Sequence, residues 1–178
     1  MTQMPPMPPA TPSHDEVDDL VAAWHRERAD LPVEPMHIWS RILRLAVHLD
    51  EARRVAHARH GLEGWEFDVL AALRKEGAPY TMSPGQLLKQ THVTSGTMTN
   101  RVDRLVSRGF VRRQADPNDG RVVRVVLTDD GREAVDAALE ALLEAEENLL
   151  AHLDAEKRDR LAAALRGLLL AQGDVAAH

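Results

Sequence analysis

From His14 onward apolar positions recur three and four apart, so the chain reads as a run of helices interrupted once by strand-like alternation. Val17, Leu20, Val21 and Trp24 predict a helix over about 14–28, opened by Ser13 as N-cap with Glu16 as its capping-box partner and broken by LPVEP. Ile38, Ile42, Leu45 and Leu49 predict a longer helix over about 36–59, ended by Gly61. WEFDVLAAL predicts a third over about 64–76, stopped by Gly77 and Pro79. Two short helices follow. SPGQLLKQ has Ser83 as N-cap and Pro84 in the first helical position. HVTSGTMTNRVDRLVSRG has Thr94 or Ser95 as cap and Gly109 as terminator. Only Thr91 to Val93 separate the two, the spacing of a helix-turn-helix.

Behind the second short helix, FVRRQ alternates as a strand, DPNDG is a turn and RVVRVVLT is a β-branched second strand. This hairpin has the place of a wing. AVDAALEALLEAEENLLAHL and LDAEKRDRLAAALRGLLLA then return to helical periodicity, and the Met/Pro-rich residues 1–12 read as a disordered arm. The expected architecture is mainly α with a small β-hairpin: an arm (1–12), N-terminal helices (13–60), a winged helix-turn-helix (61–128) and C-terminal helices (129–178).

Charge sharpens this picture. The chain carries a net −6, yet between Arg101 and Arg124 seven Arg face three Asp, a basic block in an acidic protein. On a helical wheel, Met98, Val102 and Leu105 share the packing face of the second short helix, leaving Gly96, Thr97, Thr99, Asn100, Asp103 and Arg104 on the remaining arc. Thr and Asn at a helix start can donate to phosphates or read base edges, and Arg104 is the charged contact on that arc. Arg101 leans inward, about 60° from the packing face, and a charge beside a core needs a partner. Asp68, flanked by Phe67 and Val69, is the candidate.

Composition excludes other chemistry. There is no Cys, so disulfides and thiolate metal sites are ruled out. No apolar run approaches the roughly 18 residues of a membrane span, and the start has neither a basic nor an apolar signal region, so a cytoplasmic protein is expected. His57 and His60 lie at i, i+3, with His48 farther back on the same helix, but no third or fourth ligand converges on them, so neither a metal nor a cofactor is expected. His92, in the helix-turn-helix turn, is a candidate phosphate contact, and His152 a candidate for tuning a dimer with pH. Nucleophile elbow, P-loop and dinucleotide fingerprint are all missing, so an enzyme is not expected. A metal-responsive regulator and a helical adaptor using the Leu/Glu-rich C-terminal helices are the remaining alternatives.

The hairpin carries D-x-R-x-x-x-V-x-L-T as Asp119, Arg121, Val125, Leu127 and Thr128, followed by Asp130 and Gly131. With TSGTMTNRVDRLVSRGFVRR ahead of it, the chain over about 35–172 resembles the MarR family of transcriptional regulators. Many members have a second Arg where this chain has Gly120. The resemblance implies a homodimer formed through the N- and C-terminal helices, bound to double-stranded DNA at a pseudo-palindromic operator. It implies recognition helices in successive major grooves and a wing Arg reaching toward the minor groove. The DNA contacts expected are Ser95, Thr97, Thr99, Asn100, Arg104 and Arg121, with Asp119 shaping the wing. The extra N-terminal helix resembles that of a urate-responsive subgroup, whose ligand signature falls on Trp24, Asp68, Arg101 and Arg113. That likeness implies a repressor attenuated by a small anion, urate or a related purine. Relatives with the same signature respond to citrate or aconitate, and two Arg suit such carboxylates equally, with other phenolic or aromatic anions a further alternative.

Overall fold

A computed structural model describes residues 14–91, 93–116 and 122–173. The chain forms two compact units that divide between His48 and Leu49.

The first unit contains α1 (Glu16–Glu27) and the first half of α2 (Met36–Arg59). The N-cap of α1 is Asp15, where Ser13 had been expected. Its carboxylate accepts from the backbone N–H groups of Val17 (2.9 Å) and Asp18 (3.2 Å), while the Asp18 carboxylate accepts from the Asp15 N–H (3.0 Å). Asp15 and Asp18 form the same reciprocal box that Ser13 and Glu16 offered, two residues later. Val17, Val21 and Val33 make a small core beneath half-buried Met36. Arg41 clamps α1 to α2 with two 2.9 Å bonds to Asp15 and one of 2.8 Å to Asp18, and Arg44 pairs with Glu16.

The second unit holds the main core. It comprises the rest of α2, α3 (Gly64–Lys75), β1 (Thr81–Met82), α4 (Pro84–Thr91), α5 (Ser95–Ser107), β2 (Val111–Ala115), β3 (Val123–Leu127), α6 (Asp129–Leu149) and α7 (Ala155–Ala171). Ser83 and Gln86 form the capping box of α4: the Gln86 side chain accepts from the Ser83 N–H at 2.8 Å, and the Ser83 hydroxyl from the Gln86 N–H at 3.2 Å. Thr94 caps α5, and Gly109, at φ 76°, turns the chain into β2. Leu70, Leu73, Met82, Leu87, Met98, Leu105, Val111, Val125 and Val135 are fully buried together.

The expected hairpin is a three-stranded antiparallel sheet in the order β1-β3-β2. β3 pairs with β2 from Val111↔Leu127 to Ala115↔Val123, and with the unanticipated β1 through Thr81↔Val126 and Met82↔Val125. Two residues are too few to show alternation, and β1 exists because β3 offers it an edge. Behind the sheet, Thr128 caps α6, accepting from the Gly131 N–H at 3.1 Å, and its hydroxyl lies 2.7 Å and 2.9 Å from the Gly109 and Phe110 carbonyls. Asp154 caps α7, a helix with no buried residue in the single chain.

Candidate nucleic-acid interface and ligand residues

The helix-turn-helix consists of α4 and α5. The buried stripe of α5 is the expected one: Met98, Val102 and Leu105 are sealed into the core. Its other arc is uncovered, with Ser95, Gly96, Thr97, Thr99, Asn100, Asp103 and Arg104 all exposed. Thr97 is locked to the cap by a 2.9 Å hydroxyl–hydroxyl bond to Thr94, and the Thr99 hydroxyl donates back to the Ser95 carbonyl at 3.1 Å. Among the described residues the Ser95 and Asn100 side chains have no hydrogen-bond partner, so both are free to bind an incoming group. Arg121, Asp119 and His92 lie outside the described residues.

The arginines of the block are largely engaged. Arg104 donates to Glu63 at 2.6 Å and lies over the Trp65 ring, 4.7 Å from its centroid. Trp65 Nε1–H donates to the other Glu63 oxygen at 2.7 Å. The bond from Trp65, followed by that from Arg104, holds the Glu63 carboxyl below its ordinary pKa. Arg108 reaches back to the buried Glu66 carboxylate (2.5 Å) and the Gly61 carbonyl (2.9 Å), and covers Phe110. Arg124 pairs with buried Asp116 at 2.6 Å.

Three of the four expected ligand residues belong to the second unit. Arg113, on β2, pairs with Asp103 of α5 at 2.5 Å, tying β2 to α5. Arg101 is half-buried with its guanidinium 5.4 Å from the Trp65 ring centroid. The expected ion pair between Arg101 and Asp68 is not formed. Asp68 is exposed, because Phe67 and Val69, its neighbours in the chain, sit about 100° away on either side of the helix and turn inward without it. Asp68 instead lines a surface cleft of about 460 Å³ with Arg53, Phe67, Arg74, Lys75 and Asp136, where Arg74 and Asp136 pair at 2.8 Å. The partner that Arg101 required is an aromatic face. Trp24 lies on α1 in the first unit and is 45% exposed.

Two features were invisible in the sequence. His57 is buried and stacked on Phe67 at 4.2 Å, with neither ring nitrogen hydrogen-bonded, and burial pushes its pKa down. Glu66 is buried with one oxygen unpartnered. Among the described residues no cluster of three His, Asp or Glu is arranged to hold a metal, and no helix is long and apolar enough to cross a membrane. Large apolar side chains stand uncovered on α2 (Ile38, Trp39, Leu43, Leu45, Val47) and on α7 (Leu161, Leu165, Leu168, Leu169, Leu170).

A model of the MarR family matches residues 60–122. The chain is 37% identical over 150 residues to the HTH-type transcriptional regulator PecS of Dickeya dadantii, an alignment covering 84% of this chain and 90% of that protein. Among solved structures, a mutant of MarR from E. coli complexed with operator DNA superposes with a TM-score of 0.64 at 26% identity, covering 76% of this chain and 96% of that one. Bordetella bronchiseptica BpsR, whose DNA binding is regulated by 6-hydroxynicotinic acid, superposes with a TM-score of 0.55 at 25% identity, covering 70% and 90%.

Proposed function

Because this chain belongs to the MarR family of DNA-binding transcriptional regulators, we propose that it is a homodimeric repressor of a pseudo-palindromic operator whose DNA binding is attenuated by a small planar anion, urate or a related purine. The observation that carries the DNA reading is the division of α5: one stripe sealed into the core, the opposite arc uncovered and lined with short polar side chains. Such an arc can approach base edges closely, and Ser95, Thr97, Thr99, Asn100 and Arg104 are its contacts, with Arg121 on the wing. The dimer reading rests on α7, which as a 17-residue helix with no buried side chain has no packing to stabilise it in a lone chain. A second copy that covers Leu165 and Leu169 removes that deficit.

The ligand residues assigned are Trp24, Asp68, Arg101 and Arg113. Arg101 is not held by a carboxylate among the described residues, and Arg113 holds only Asp103, so an anion meets an uncompensated guanidinium at Arg101 and at Arg113 must displace a carboxylate. Taking Arg113 from Asp103 releases β2 from α5. That is a differential interaction with a state in which recognition helix and wing are no longer in register, which a ligand needs in order to shift the equilibrium. The regulation of BpsR by a heteroaromatic acid supports the ligand class.

The test is a gel-shift titration on the DNA upstream of the protein's own gene, with urate, citrate and trans-aconitate added separately. Release by urate alone supports the purine assignment. Release by a tricarboxylate keeps the residues and changes the ligand. A shift that none of the three affects leaves the regulator standing and removes the ligand assignment, and no shift at all refutes the regulator.

A further inference from the structure

The arginine on the exposed arc of α5 is not idle in the free protein. Arg104 sits in a three-part seat built by the start of α3: the Glu63 carboxylate takes its guanidinium at 2.6 Å, the Trp65 ring lies under it at 4.7 Å, and the Trp65 indole N–H holds the second Glu63 oxygen at 2.7 Å. The indole bond matters because it fixes a carboxylate on an otherwise mobile side chain. Glu63 is thereby presented to Arg104 in one orientation, at no further loss of rotamer freedom when the pair closes. Arg104 and Glu63 are both more than half exposed, at 59% and 58%, so the seat opens to water and to any anion that approaches α5.

We propose that Glu63, held by Trp65, competes with the DNA backbone for Arg104 and so sets the affinity of the recognition helix for its operator. This rests on the regulator reading above. In the free protein the carboxylate takes a guanidinium N–H that a phosphate could otherwise engage. On DNA the pair exchanges, Glu63 giving up Arg104 to a phosphate oxygen, and the binding free energy is lowered by the cost of breaking the seat. Glu63 is then a positioning residue that opposes binding. That separates it from a merely structural residue, whose loss weakens binding.

Affinity for the operator measured by gel shift tests this in a double-mutant cycle of wild type, Glu63→Gln, Arg104→Ala and the double variant, at one fixed salt concentration. Gln keeps the shape of the side chain and its bond from Trp65 while removing the charge. The expected result is a gain of about two- to fivefold for Glu63→Gln, the range for an exposed ion pair, a loss for Arg104→Ala, and no gain from Glu63→Gln once Arg104 is Ala. Unchanged or weaker binding by a folded Glu63→Gln variant overturns the competition. So does a gain that persists in the Arg104→Ala background, which marks a long-range charge effect in place of a seat. A wild-type chain that shifts no DNA overturns the regulator reading and the competition together.

Discussion

Replacing Gly131 with Ala should break the joint on which the wing is mounted. A Cβ at this position falls 2.1 Å from the Phe110 carbonyl oxygen, 2.9 Å from its carbon and 3.0 Å from Leu127 Cδ1. A carbon meets an oxygen comfortably at about 3.3 Å, so the first turn of α6 and the start of β2 must part by roughly 1.2 Å. Neither side can give alone. The Phe110 carbonyl accepts the Thr128 N–H at 3.1 Å and lies 2.9 Å from the Thr128 hydroxyl, which in turn accepts the Gly131 N–H at 3.1 Å. Separation weakens the N-cap of α6, worth about 1 kcal/mol, and two hydrogen bonds of about 1 kcal/mol each, so the expected loss is about 3 kcal/mol. Urea unfolding followed by circular dichroism measures it, at one protein concentration because a dimer's apparent stability depends on concentration. Gly96→Ala is the matched control. It lies in the first turn of α5 with nothing within 4 Å of the added Cβ, so the same substitution should stabilise by about 0.5 kcal/mol through lower backbone entropy in the unfolded chain. A Gly131→Ala variant within about 0.5 kcal/mol of wild type, the range of an uneventful surface change, would refute the close approach.

Other substitutions test other parts of the structure. Burial leaves the unpaired His57 with a pKa below the ordinary 6.5, with Arg53 also opposing its protonation and Asp68 favouring it. The folded state therefore binds fewer protons than the unfolded one, and stability should be full above pH 6.5 and fall as pH drops through the folded value; His57→Leu should flatten that slope in urea melts at pH 5 and 8, and an unchanged slope would discount the histidine. Arg113→Ala should retain a gel shift but lose most of its response to the ligand, and a full response would remove Arg113 from the site. Leu169→Asp, on the uncovered face of α7, should convert a dimer to monomers in light scattering, whereas a dimer of undiminished stability would place the interface elsewhere.

Much of the fold was legible because it follows from periodicity. The bounds predicted for α2 and the Met98/Val102/Leu105 stripe of α5 match the structure, and each helix is followed by a glycine at positive φ, Gly61 at 67° and Gly109 at 76°, whereas Ile38 and Leu45 of the apolar stripe read on α2 stand uncovered. The wing was legible as two strands from β-branched runs, whereas β1 owes its pairing to β3 and leaves no local trace. The start of α1 was misplaced because Ser13 and Asp15 both offer cap chemistry and the outcome depends on Arg41, 26 residues away, which bonds Asp15. Within the second unit's candidate site, the sequence revealed that Arg101 leans inward and needs a partner but not which one. Asp68 is an acid set within an apolar run, while Trp65, one turn earlier on the same helix, is the group the guanidinium covers. The wheel gives the direction of Arg101 around its own helix, but which group of the neighbouring helix meets it is decided by tertiary packing.

The same pairing limits the free positive charge that an acidic chain with a basic block presents to DNA. Read as sequence, the block from Arg101 to Arg124 looks like a standing positive patch. In the structure, four of its described arginines already hold carboxylates: Arg104 with Glu63, Arg108 with Glu66, Arg113 with Asp103 and Arg124 with Asp116. Each such cation contributes to phosphate binding only by exchanging one anion for another, so counterion release from DNA, which drives non-specific affinity, is offset by carboxylates left behind. Two of these acids, Glu66 and Asp116, are buried, and their arginines are committed, because weakening the pairing of a buried carboxylate costs more than weakening that of an exposed one. Glu63 and Asp103 are exposed and can be released into water cheaply. The arginines thus fall into a structural pair, Arg108 and Arg124, and an exchangeable pair, Arg104 and Arg113. The exchangeable pair anchors α5 on two sides, to α3 through Glu63 and to β2 through Asp103. Whatever anion captures either guanidinium, phosphate or small ligand, acts directly on the placement of the recognition helix.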